Sequence, residues 1–151
     1  MTIAAHRENG DTAPLVAGAR DHSTRAEPRP LDILIVEDEV LIAMDVEQSV
    51  EDAGHRVVGI ETTAGSAVKA VEARRPDVVL MDLKLADGSY GSDAAREILQ
   101  RFGVRSIFIS GNLDKATRER LVDLEPIAML SKPFRAEELH EALRSVMRTQ
   151  N

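Results

Sequence analysis

Asp77-Val78-Val79-Leu80-Met81-Asp82 sets four consecutive apolar residues, two of them β-branched, between two aspartates. A run this short cannot make a helical turn pattern, and its lack of alternation reads as a strand buried on both faces, spanning 77–81. Working upstream, residues 64–75 carry a helical period stopped by Pro76, and 56–61 form another strand. Before these, 40–53 is helical, with Leu41, Met44 and Val50 among its apolar positions and Gly54 as its stop. The run Ile33-Leu34-Ile35-Val36 is a first strand. Downstream, Ser92 is expected to cap a helix reaching Phe102 with Gly103 beyond it, followed by a strand at 106–109. A short polar helix at 113–124, a strand at 127–130 and a last helix at 135–147 complete the pattern. Five strands alternating with five helices imply right-handed crossovers and a parallel sheet covered on both faces. In such α/β folds the ligand crevice lies outside the carboxyl ends of the strands.

The length of 151 residues suits one domain with a substantial core. Residues 1–30 show no sustained period and contain Gly10, Pro14, Gly18, Pro28 and Pro30, so they read as a flexible N-terminal extension ahead of a domain at 31–151. With no cysteine, thiolate metal sites, thiolate nucleophiles and disulfides are excluded. No apolar run approaches the roughly 20 residues of a membrane span, and no signal-peptide core precedes the domain, which points to a cytoplasmic protein with no membrane contact. The net charge of -7 argues against a nucleic-acid partner.

Four of the strands run into polar residues at their carboxyl ends. These are Glu37-Asp38-Glu39 after the first, Asp82 after the third, Ser110-Gly111 after the fourth and Ser131-Lys132-Pro133 after the fifth. Singly, each has a plain reading as a helix cap, a turn or a strand exit. Together at one crevice they make a set suited to phosphorylating a carboxylate. Clustered carboxylates repel one another and favour a cation, and oxygen ligands suit Mg²⁺. Phosphoryl transfer then needs alignment and charge neutralisation, for which Lys132, the Ser110 hydroxyl and the Gly111 backbone N–H are available, with Asp82 as nucleophile.

In these motifs, and in Ile107-Phe108-Ile109-Ser110-Gly111 and Ser131-Lys132-Pro133-Phe134, the sequence resembles the receiver domains of bacterial two-component response regulators. The likeness covers about residues 31–148. It implies a flavodoxin-like (βα)5 fold with strand order 2-1-3-4-5, and phosphate donated by a sensor histidine kinase or a histidine phosphotransfer protein. By the resemblance, Glu37 and Asp38 are the acidic pair and Asp82 is the phosphoacceptor. The backbone carbonyl of Lys84 completes the Mg²⁺ ligands, Ser110 is the switch hydroxyl, Lys132 binds phosphate, and Lys132-Pro133 is cis. Where many receivers carry an inward-turning aromatic ring, this chain has Met129. The loop at 85–91 lacks the proline often found after the phosphoacceptor and is similar to that of alphaproteobacterial receivers, including those of general-stress regulators; Tyr90 is expected to pack within it.

With no output segment after the last helix, a single-domain regulator is expected to signal by docking on a downstream protein, or as a homodimer across its last two helices and fifth strand. Lys115, Arg118, Glu119 and Arg120 offer interface charges. Rival readings are a phosphorylation-independent binding module, a Mg²⁺-dependent aspartyl-phosphate hydrolase, and a flavin or nucleotide module. The hydrolase would want a second acid where Lys84 stands, and the nucleotide module a Gly-rich loop where Glu37 to Glu39 stand. His6, His22, His55 and His140 lack metal-ligand spacing and are expected at the surface.

Overall fold

The computed structural model describes residues 28–150; His6, His22 and nearly all of the expected extension lie outside them. Five strands, β1 (Asp32–Val36), β2 (Arg56–Glu61), β3 (Val78–Asp82), β4 (Ser106–Ser110) and β5 (Ala128–Ser131), form one parallel sheet in the order β2-β1-β3-β4-β5. They alternate with α1 (Val40–Asp52), α2 (Ala64–Arg74), α3 (Gly91–Phe102), α4 (Lys115–Leu121) and α5 (Ala136–Thr149). The expected fold class and strand order are those observed.

Strand alternation divides the core in two. Leu34, Val36, Val79, Met81 and Phe108 face α2, α3 and α4, meeting Val68, Val71, Ile98 and Leu121. Ile33, Ile35, Leu80, Ile107 and Ile109 face α1 and α5, meeting Val46, Val50, Leu139 and Leu143. Each of these side chains contributes about 1.5–3 kcal/mol when removed from water, and between their end residues the central strands β1, β3 and β4 are apolar throughout. Every residue of β3 is buried, Asp82 included.

Several local expectations are corrected. In α1 the buried positions are Ala43, Val46 and Val50, whereas Leu41 (77% exposed) and Met44 (57%) turn to solvent with Val40. Ser92 does not cap α3: the helix begins at Gly91, and the capping position belongs to Tyr90, whose side chain makes no cap bond. A Cβ on Gly91 would stand 1.9 Å from the Asp82 carbonyl oxygen, so only glycine lets α3 start this close to β3. The fourth helix is shorter than its polar period suggests. It is capped by the Asp114 side chain on the Thr117 N–H and gives way after Leu121 to a 3₁₀ turn, Val122–Leu124. His55 is buried rather than at the surface, and its Nδ1 accepts the Leu31 N–H at 3.1 Å. His140 is half-buried, its Nε2 3.0 Å from the Ser49 carbonyl oxygen.

Candidate functional site

Parallel register carries the polar residues to one edge of the sheet. Val36 pairs with Met81, so Glu37 and Asp82 leave adjacent strands side by side. Asp82 pairs with Ile109, and Ser110 pairs with Ser131, one residue short of Lys132. The Lys132 N–H donates to the Ser110 carbonyl at 2.9 Å, and the Glu37 N–H to the Glu61 carbonyl at 2.9 Å, fixing both strand exits. The Lys132-Pro133 peptide is cis, as the resemblance implies.

The charged centre is compact. Lys132 Nζ donates to Glu37 Oε2 at 2.9 Å and to Asp82 Oδ2 at 3.2 Å. Glu37 and Asp82 are buried, at 4% and 7% exposure. Burial pushes the Glu37 carboxyl up to about 7; the Lys132 ammonium opposes this and the neighbouring Asp82 carboxylate reinforces it. Burial by itself would lower the Lys132 ammonium, but its bond to Glu37 and the charge of Asp82 hold it above its ordinary value. One ammonium thus serves two buried carboxylates, which leaves negative charge uncompensated at the strand ends.

Asp38, half-exposed, completes an acidic trio with Glu37 and Asp82 in which one oxygen from each lies within 4.8 Å of the other two. An all-oxygen set of this size, whose burial makes the ionised carboxylates costly without a counter-charge, fits a small hard divalent cation such as Mg²⁺. Asp82 Oδ1 also accepts the Lys84 N–H at 3.4 Å, orienting the carboxylate.

Two contacts had no clear signal in the sequence. The Asn112 N–H donates to Ser110 Oγ at 3.1 Å, and the Glu39 N–H to Glu37 Oε1 at 3.3 Å. Both are backbone donors supplied by the turn after a strand, invisible to a reading of side-chain types. Met129 is partly buried in the α3–α4 half of the core, with Arg118 Nη1 4.0 Å from its Sδ while Arg118 Nε holds the Leu113 carbonyl. Tyr90 does not pack within its loop: its ring is 59% exposed, and it is the backbone that bridges to Lys84.

The sequence model of the response regulator receiver domain matches residues 33–144. Among curated proteins, the phyllosphere-induced regulator PhyR of Methylorubrum extorquens is 48% identical over 105 residues, covering 68% of this chain and 38% of that protein. The transcriptional regulatory protein PdtaR of Mycobacterium tuberculosis is 33% identical over 114 residues, covering 76% of this chain and 55% of that one. The chain therefore spans between about two fifths and just over half of these relatives. Among solved structures, the PhyR response regulator of Brucella abortus is similar with TM-score 0.69 and 39% identity, over 80% of this chain and 49% of that one. The receiver domain of Erythrobacter litoralis PhyR gives TM-score 0.70 and 36% identity, over 82% of this chain and 94% of that one.

Proposed function

Since the chain belongs to the response regulator receiver domains, we propose that Asp82 accepts a phosphoryl group from a phosphohistidine of a sensor histidine kinase or histidine phosphotransfer protein. A carboxylate oxygen of Asp82 attacks phosphorus. The O–P bond forms as the N–P bond breaks, and the departing imidazole keeps the bonding pair and takes up a proton. Lys132 already contacts Asp82 and is positioned to neutralise charge on the transferred group, with the Ser110 hydroxyl and the Gly111 N–H as further donors. Glu37, Asp38, Asp82 and the Lys84 carbonyl would hold Mg²⁺, which when bound neutralises phosphoryl-oxygen charge. The observation that carries this reading is the single ammonium of Lys132 bridging Glu37 and Asp82 at the carboxyl edge of a parallel sheet.

The Ser110 hydroxyl accepts the Asn112 N–H. Phosphate on Asp82 offers the Ser110 O–H a charged acceptor, and movement of Ser110 toward it breaks the Asn112 contact and frees the loop leading to α4. The signal then leaves by docking. The exposed Val40, Leu41 and Met44 of α1 suit the phosphodonor protein, and a homodimer across α4, β5 and α5 or a downstream protein target reads the change. PhyR of Bartonella quintana is described as an anti-anti-sigma factor, and a role of that kind is the downstream action we propose for the protein containing this domain. The domain is read as 31–151 with the extension before it, acting in the cytoplasm; among the described residues no helix is long and apolar enough to cross a membrane. Turnover of a soluble substrate is not part of this reading, because Lys84 stands where an aspartyl-phosphate hydrolase wants its general acid.

Incubation with Mg²⁺ and a small phosphodonor, followed by intact mass, tests the proposal. One base-labile phosphoryl adduct is expected on the wild type and none on Asp82→Asn. An unmodified wild type, or an equally modified variant, would refute it.

A further inference from the structure

Among the described residues, most basic side chains have a partner. Arg135, Arg144 and Arg148 pair with Glu138 and Glu141 along α5. Arg74 and Arg105 donate to backbone carbonyls, and Arg75 lies over the Phe102 ring. Lys84 and Arg96 have no such partner among the described residues, and Arg120 reaches only the Thr117 hydroxyl at 3.3 Å. All three line one cleft of about 550 Å³ between α3 and α4. The exposed Tyr90 ring forms part of its wall, and Ser110 and Asn112 form its end next to the acidic centre. Asp123 is the one acid among the lining residues.

We infer that this cleft docks an acidic peptide segment of a partner protein. In a chain of net charge -7, three cations without an ion-pair partner, gathered in one groove whose lining holds the single acid Asp123, form a local field complementary to a short anionic stretch. The surrounding acidity disfavours a long polyanion such as nucleic acid, whose flanking phosphates would meet like charge. Lys84, Arg96 and Arg120 are exposed at the rim instead of enclosed, which suits a chain laid across the surface more than a small molecule needing burial. Tyr90 gives an apolar residue of that segment a flat surface to cover. Because Ser110 and Asn112 form the end wall, release of their hydrogen bond reshapes the cleft, so affinity changes on phosphorylation. That coupling rests on the function proposed above; the docking itself does not.

The test titrates the isotope-labelled full chain with a short synthetic peptide of Asp, Glu, Gly and Leu, and with the same peptide carrying Asn and Gln, following amide shifts and fluorescence anisotropy. Saturable binding of the acidic peptide alone is expected, with shifts centred on Tyr90, Arg96, Thr117 and Arg120 and weakening with salt. The Arg96→Gln/Arg120→Gln double variant should bind about tenfold more weakly, as two rim charges together imply. Lys69→Gln, an equally unpaired lysine on α2 outside the cleft, should bind as the wild type does. No binding, equal binding of the amide peptide, an unaffected double variant, a stronger response to an oligonucleotide, or shifts elsewhere would each overturn the docking site. The double variant should still be phosphorylated on Asp82, so loss of binding with an intact adduct separates this inference from the phosphoacceptor reading. Unchanged affinity in a fully modified wild type would overturn the coupling.

Discussion

Strand β3 runs between two aspartates that the fold treats in opposite ways. Asp77, just before its amino end, accepts the Arg29 guanidinium through both oxygens at 2.7 and 2.9 Å and the Asp32 N–H at 2.7 Å. Burial would push its carboxyl up, but Arg29 and the Asp32 N–H together hold it below its ordinary value. Asp82, at the carboxyl end, shares one ammonium with Glu37, and burial lifts Glu37 to about 7. A carboxylate with its acceptor sites filled ties elements together; one left short of donors is available to a cation and a phosphoryl group. At the amino edge the charge is structural, and at the carboxyl edge it is held in reserve for chemistry.

Substitutions at the two ends should separate cleanly. The largest expected effect is complete loss of the phosphoryl adduct in Asp82→Asn, while Asp77→Asn is modified as the wild type is; intact mass decides. Next, Lys132→Ala should slow phosphorylation by about 10²-fold or more, as removal of one charge-stabilising donor does elsewhere. A quenched time course with the small phosphodonor measures it, and a rate within a factor of a few of wild type would mean the ammonium is only structural. Third, Asp77→Ala strips the acceptor from Arg29 and the Asp32 N–H and should lower stability by about 1–2 kcal/mol in urea unfolding. Arg29→Ala should do less, since Arg29 is exposed and its loss leaves Asp77 with the backbone donor.

The smallest and most diagnostic effect is on pH. Glu37 has a folded value of about 7 against 4.5 unfolded, so it favours the folded state most below pH 4.5 and loses that contribution as pH rises through 7. Asp77 has the opposite sign: its contribution is present above its ordinary value of 3.8 and is lost as pH falls through its lowered folded value. In a chelator, thermal unfolding of Glu37→Gln should therefore exceed wild type at pH 8 and lose that advantage by pH 5. An equal gap at both pH values would mean that Glu37 is not strained.

The short apolar runs ending in Glu37, Asp82, Ser110 and Lys132 made both sheet and site legible, because a parallel doubly wound fold sends every strand's carboxyl end to the same edge. Helix faces were less legible. Leu41 and Met44 fit the helical period of α1 yet face water, because Ala43, Val46 and Val50 already fill the space against the sheet. The start of α3 was misplaced by two residues because the reason for Gly91 lies in β3, nine residues away in sequence and in contact in space.

The amino-acid order alone determined which residue types arrive at the strand ends, since strand period and crossover handedness are local properties of the chain. Only the tertiary structure decided how far each charge is satisfied. That Asp77 is neutralised by Arg29, that Lys132 is divided between Glu37 and Asp82, and that Lys84, Arg96 and Arg120 share one cleft depends on distances between segments far apart in sequence. Burial and pairing set the energy of a charge, and neither exists until the segments have packed.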